Sequence, residues 1–142
     1  MISKRDIIKD EIEKIAQVFG HILAQLLGTD GNNPKYVAVG DLEEALQDKL
    51  DLDLKRIMAL EGKELHSYLV SHHFDVANLE LFGDLLIRLG KQPLHVDRTA
   101  SVKHLRKGLN LYQLADAGSD AYSMMRAQKV KEVQDLLATL VV

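Results

Sequence analysis

Cysteine is absent from this chain, which excludes disulfides, thiolate metal sites and a cysteine nucleophile. Only two prolines interrupt it, Pro34 and Pro93, and so few breakers leave room for long helices. A long uncharged run is missing at the start. "MISKRDIIKDEIEK" carries charges throughout, the pattern of neither a secretory signal nor a membrane span, so the expected location is the cytoplasm. A basic excess is missing as well. The net charge of −3 gives no general attraction to nucleic acid. At 142 residues with 46% hydrophobic residues, the chain suits one domain whose core needs no staples.

What is present is helical periodicity. From Ser3 to Leu27 the residues Ile8, Ile12, Ile15, Phe19, Ile22 and Leu26 alternate spacings of four and three, an amphipathic stripe that Ile7, Ala16, Leu23 and Leu27 widen. Ser3 with Asp6 reads as an N-terminal cap and Gly28 as the stop. "GDLEEALQDKLD" has a second capping signature in Asp41 and Glu44. "LDLKRIMAL" and "GKELHSYLVS" read as two short helices broken near Gly62. A fifth helix is expected from His72 to Leu89, with Ser71 as its cap and Val76, Leu79, Phe82, Leu86 and Leu89 inward. After the loop "GKQPLHVDRT", a sixth runs from Thr99 to Ala117 with Val102, Leu105, Leu109 and Tyr112 on one face. Gly118 and Ser119 break the chain and cap a seventh, whose apolar side is Tyr122, Met125, Val130, Val133, Leu137 and Leu140. β-Branched runs such as "KYVAV" are short and isolated. The fold class expected is all-α, about seven helices in a single domain spanning 1–142.

Few constellations carry chemistry. The sequence holds no phosphate-binding G-x-x-x-x-G-K-[ST], no G-x-G-x-x-G and no G-x-S-x-G. Ser67 and His66 are adjacent on a helix and do not face each other. The carboxylates fall mainly on exposed faces, and no spacing marks an acid–base pair. No catalytic residue is assigned, and no cofactor is expected. Six histidines are present: His21, His66, His72, His73, His95 and His104. The densest stretch, "ELHSYLVSHHFD", holds Glu64, His66, His72, His73 and Asp75. Helical metal sites use His at i,i+4 or Glu-x-x-His, and neither spacing occurs. No metal is therefore expected. His66, His72 and His73 are the residues a metal or small-molecule site would use. "RTASVKHLRKGLN" places Lys103, Arg106 and Lys107 on one helical face, read as a solvated face without nucleic-acid contact because no aromatics interleave.

One feature breaks the helical pattern. Gly83 stands inside the fifth helix, where glycine costs roughly 1 kcal/mol relative to alanine. Such a glycine marks the close approach of another backbone, or is merely tolerated in an ordinary bundle. The residues around it resemble the tetratricopeptide repeat. Leu79, Phe82, Gly83 and Leu86 match its first helix and Gly90 its turn. Ser101, Leu105 and Gly108 match its second helix, while Tyr122 and Ser123 match the large and small positions of a capping helix. The chain then divides into an irregular helical half, 1–71, and a tetratricopeptide-like half, 72–142, packed on the long N-terminal helix. More broadly, "LLG" (26–28), "GDLEEAL" (40–46) and "LDLDL" (50–54) resemble a family of small bacterial all-helical proteins with a repeat-like C-terminal half. That resemblance implies a fold and no activity.

The tetratricopeptide resemblance also implies a peptide groove, whose lining positions map to Ala77, Glu80, Asp84, Ile87 and Arg88. Acids stand where the family's basic clamp would be, so a bound peptide is expected to be basic or apolar. Asp84 and Arg88 are spaced for an i,i+4 pair if the face is simply solvated. The function expected is non-catalytic, a protein-interaction or scaffolding role with protein or peptide partners. The alternative is a binder of a small molecule or metal at the histidine junction. A homodimer is a further expectation, through the flank of the first helix (Ile7, Leu23, Leu27) or through Val133, Leu137 and Leu140 of the last.

Overall fold

A computed structural model describes residues 3–92 and 97–140. Among these residues there is no strand. There are seven helices: α1 (Lys4–Leu27), α2 (Val39–Leu50), α3 (Leu54–Ala59), α4 (Gly62–Ser71), α5 (Val76–Lys91), α6 (Arg98–Gly118) and α7 (Met124–Leu140). None is long and apolar enough to cross a membrane. His95 and Pro93 lie outside the described residues.

The ends of α1 follow local chemistry. The Ser3 hydroxyl accepts from the Asp6 amide, and Gly28 closes the helix in the left-handed region. Other ends differ from expectation. Asp41 does not cap α2, which begins two residues earlier after Ala38 and leaves Asp41 in its first turn. There it still complements the helix dipole. Ser71 ends α4 rather than capping α5. His73 adopts φ 66°, and the amides of His73 and Phe74 donate to the carbonyls of Val70 and Leu69. This left-handed closure drives Phe74 into the core and delays α5 until Asp75, whose carboxylate accepts from the Asn78 amide. Ser119 likewise ends α6, and Ser123 caps α7 by accepting from the Arg126 amide. Tyr122 therefore precedes α7 and is 82% exposed, while Met125 is 75% exposed, so neither belongs to the buried side of α7.

Three glycines set how α5 and α6 meet. A Cβ on Gly83 would lie 2.7 Å from the ring of Tyr112 and 3.2 Å from the carbonyl oxygen of Gly108. A Cβ on Gly108 would lie 2.5 Å from Ile87 and 3.1 Å from the Gly83 carbonyl. Gly90 sits inside α5 rather than in a turn, and its Cβ would be 3.0 Å from the Ser101 carbonyl. Small residues at 83 and 90 thus face small residues at 108 and 101. The two helices run antiparallel with their backbones unusually near, since interaxial distance follows side-chain size at the contact.

The remaining helices arrange themselves on this hairpin. Phe19 of α1 stacks on Phe82 of α5 with centroids 4.7 Å apart, and Phe74 lies 5.8 Å from both. All three phenylalanines of the chain meet in the centre. The Asn78 side chain, buried at the start of α5, donates to the carbonyl of Ile12. Ile12 beside Asn78 and Phe19 beside Phe82 show that α1 and α5 are parallel. Helices α2, α3 and α4 close the same core with Leu42, Leu46, Leu54, Ile57, Leu65 and Leu69, joined by Leu52 from the α2–α3 connection. The segment before α2 is held by Gln92, whose side-chain amide donates to the Val37 carbonyl and accepts from the Val37 amide.

The basic face expected on α6 is not uniformly solvated. Lys107 is buried, and its ammonium donates to the carbonyl of Leu60 between α3 and α4. Burial holds its pKa below the usual lysine value. His104 is buried too, and desolvation lowers its pKa despite the opposing pull of the Ala100 backbone and Asp97. Both side chains point inward because α6 is covered on more than one side, by α5, α7 and the α3–α4 junction.

Two alanine substitutions separate close packing from propensity. Gly20 lies in the interior of α1 with nothing within 4 Å of its Cβ position, so Gly20→Ala should stabilise by about 0.4–1 kcal/mol. Gly83→Ala should instead destabilise by about 1–3 kcal/mol, because the new methyl overpacks Tyr112 and Gly108. Urea unfolding of both variants checks this. Equal stabilisation of the two would remove the close approach at Gly83.

Candidate functional site

Helix α7 docks against the α5–α6 hairpin through charge and a small apolar cluster. Val133 of α7 joins Ile87, Leu105 and Tyr112, apart from the main core, with Val130, Leu137 and Leu140 packed at its edge. Arg126 is buried and donates to Glu80 at 2.6 Å and to Asp116 at 2.7 Å. Lys129 donates to Glu80 at 2.9 Å and to Asp84 at 3.0 Å. The Tyr112 hydroxyl donates to Asp84 at 2.5 Å. Residues 126, 129 and 133 of α7 meet 80, 84 and 87 of α5 in rising order. Helices α1, α5 and α7 are therefore mutually parallel.

The pKa shifts follow from this network. Burial alone would raise the Glu80 carboxyl, but hydrogen bonds from Lys129 and Arg126 outweigh it, and the net shift is downward. Burial lowers the Lys129 ammonium, and its bonds to Glu80 and Asp84 more than restore it. Arg126 is raised, first by Asp116. Burial and the neighbouring Asp84 push the Tyr112 phenol far above its ordinary range, so it stays a donor.

Between α1 and α7, with α5 as its floor, lies an open groove of ≈ 280 Å³. Its apolar lining is Leu23 and Leu27 of α1, Ile87 of α5 and Val133 of α7. Leu27 is 41% exposed at the rim. The polar lining is Asp84, Arg88, Lys91, Tyr112, Lys129 and Glu132. Of the sequence-derived positions, Asp84, Ile87 and Arg88 meet in this groove. Glu80 lies one turn before Asp84 beneath Arg126 and Lys129, and Ala77 is exposed in the first turn of α5. Asp84 bonds Lys129 and Tyr112 rather than forming the expected pair with Arg88. Sequence reasoning missed Arg126, Lys129, Lys91, Tyr112 and Glu132. One signal was legible: cations at 126 and 129 recur with helical spacing, complementary to acids at 80 and 84.

The histidines of the alternative site separate. His66 is exposed on α4. His72 and His73 line a different, polar cleft of ≈ 510 Å³ with Glu11, Lys14, Asp48 and Asp51. The Nδ1 of His72 lies 2.9 Å from the Tyr68 carbonyl, which can only accept, so Nδ1 carries the proton. Its ring stacks on Tyr68 at 4.5 Å. Among the described residues, no group of three or more histidines and carboxylates is placed to hold a metal ion. No family model, curated protein or solved structure matches the chain.

The charge network makes α7 docking acid-sensitive. The Glu80 carboxyl has a folded pKa below 4.5. Its contribution is fully present above that value and is lost as pH falls through the lower folded one. Glu80→Gln should therefore flatten part of the stability loss as pH falls below 4.5 in urea titrations. Arg126→Ala should cost about 1–3 kcal/mol at neutral pH, since it removes a buried side chain that bridges Asp116 and Glu80 and leaves Glu80 with Lys129 alone. An acid profile unchanged by Glu80→Gln would show that the network does not set α7 docking.

Proposed function

We propose that this chain is a non-catalytic interaction module that receives a partner segment in the α1–α5–α7 groove. The observation that carries the reading is an open groove whose apolar surface is exposed Leu27 and half-buried Leu23, backed by buried Ile87 and Val133 and framed by charged side chains on both walls. An apolar centre with a polar frame is the usual anatomy of a recognition groove. The resemblance to tetratricopeptide proteins supports the same reading, because those proteins bind peptides along their first helices and α5 is the floor here. The bacterial, cytoplasmic setting implied by the sequence belongs to this proposal. Capture from native lysate followed by mass spectrometry tests it, with Leu27→Glu as the paired bait. Partners held by the parent and lost by Leu27→Glu are expected. An identical set on both baits would remove the groove from the function.

A second reading, self-association, is favoured by the large apolar side chains left exposed at the N-terminal ends of the parallel helices: Ile7 on α1, and Tyr122, Met124 and Met125 at the start of α7. Large apolar groups left exposed commonly mark contact surfaces when they adjoin one another. Light scattering at tens of micromolar checks this reading. A single species of 15.9 kDa ends it. A dimer that persists in Leu23→Glu and Leu27→Glu places the contact at this exposed end rather than in the groove.

A further inference from the structure

We infer that the groove takes an acidic, apolar peptide segment, with its carboxylates against Arg88 and Lys91 and its apolar side chains on Leu23 and Leu27. This rests on the groove reading above and goes beyond it by fixing the chemistry of the occupant. It reverses the charge expected from the sequence, where Glu80 and Asp84 pointed to a basic ligand.

The reversal comes from α7. The two acids are not offered to a partner. Arg126 and Lys129 hold Glu80, while Lys129 and Tyr112 hold Asp84. A basic ligand would have to compete with cations already seated at 2.6–3.0 Å. Across the described residues, neither Arg88 nor Lys91 has a carboxylate within 4.0 Å. They stand three residues apart on α5, so their side chains are neighbours on one face. That spacing presents two cations together beside the apolar seat. The Arg88 guanidinium adds a planar fork suited to a carboxylate.

The opposite wall sets the orientation. Glu132 of α7 lines the groove and also lacks an ion-pair partner among the described residues. Acidic groups of the ligand are repelled from that wall and drawn to the α5 floor. The bound segment therefore carries its carboxylates along one edge and its apolar side chains along the next, as an amphipathic segment does. Surface cations such as half-buried Arg88 and exposed Lys91 contribute selectivity and encounter rate, whereas apolar contact supplies most of the affinity. Arg88 and Lys91 also lie in the last turn of α5, where cations complement the helix C-terminus. A test must separate that structural role from recognition.

The probe is a random peptide library displayed on phage, panned against the full chain, against Leu27→Glu, and against the double variant Arg88→Glu with Lys91→Glu. The parent is expected to enrich peptides that combine Asp or Glu with Leu, Ile or Phe. Enrichment should vanish on Leu27→Glu. A synthetic copy of an enriched peptide should lose affinity at least ~tenfold on the double variant, and on the parent as salt rises. Leu27-dependent enrichment of Lys- or Arg-rich peptides overturns the acidic assignment and leaves the groove reading standing. Enrichment that ignores Leu27, or none at all, overturns both. A double variant that melts lower yet binds the same peptides equally well shows that Arg88 and Lys91 serve only the helix end, and this also overturns the assignment.

Discussion

The near contact of the α5 and α6 backbones is the constraint on which the rest of this structure depends. Gly83 faces Gly108, and Gly90 faces Ser101. With those four positions small, the hairpin closes tightly enough that Tyr112 lies over Gly83 and reaches Asp84 with its hydroxyl. Ile87 then packs over Gly108. Together Tyr112 and Ile87 form the surface on which Val133 of α7 rests. A side chain at 83 or 108 would meet Tyr112 or Ile87, the two residues on which Val133 rests.

A division of labour follows between two kinds of packing. The main core joins α1 through α6 chiefly by apolar contact, with Phe19, Phe74 and Phe82 at its centre. The smaller cluster that holds α7 is supplemented by charge. Arg126 and Lys129 reach across to three carboxylates on α5 and α6. Apolar burial is insensitive to pH and salt, whereas partly exposed ion pairs respond to both. The structure therefore places its environmentally sensitive contacts at α7, the wall of the groove, and keeps them out of the main core.

The same network changes what the groove can recognise. A stripe of acids on one helix is an offer to a basic ligand only while it is unpartnered. Here the last helix carries the matching cations, and the acids become the mortar between α5 and α7. The free charges shift one turn along α5 to Arg88 and Lys91. Lys107 shows the same logic elsewhere. As part of a basic run it looked solvent-facing, yet its ammonium closes the carbonyl of Leu60 inside the fold. Formal charge in a sequence does not reveal which charges a fold uses internally.

The sequence by itself determined the all-helical class, the number of helices and the ends of α1, and it marked Gly83 as a position needing a reason. Each of these depends on neighbours within a few residues, on helical period, or on a glycine whose cost needs a compensating contact. It misplaced the start of α5, because the left-handed turn at His73 uses a residue that rarely adopts it. It placed Gly90 in a turn, because a helix-interior glycine and a turn glycine look alike along the chain. Only the tertiary structure decided that Asp84 pairs with Lys129 rather than Arg88, that Leu27 and Val133 face each other across α5, and that His66 lies away from His72 and His73. The first two outcomes turn on distances between side chains 45 or more residues apart, and the third on a left-handed turn at His73, none of which local pattern encodes. The first two are fixed by how closely one pair of helices packs.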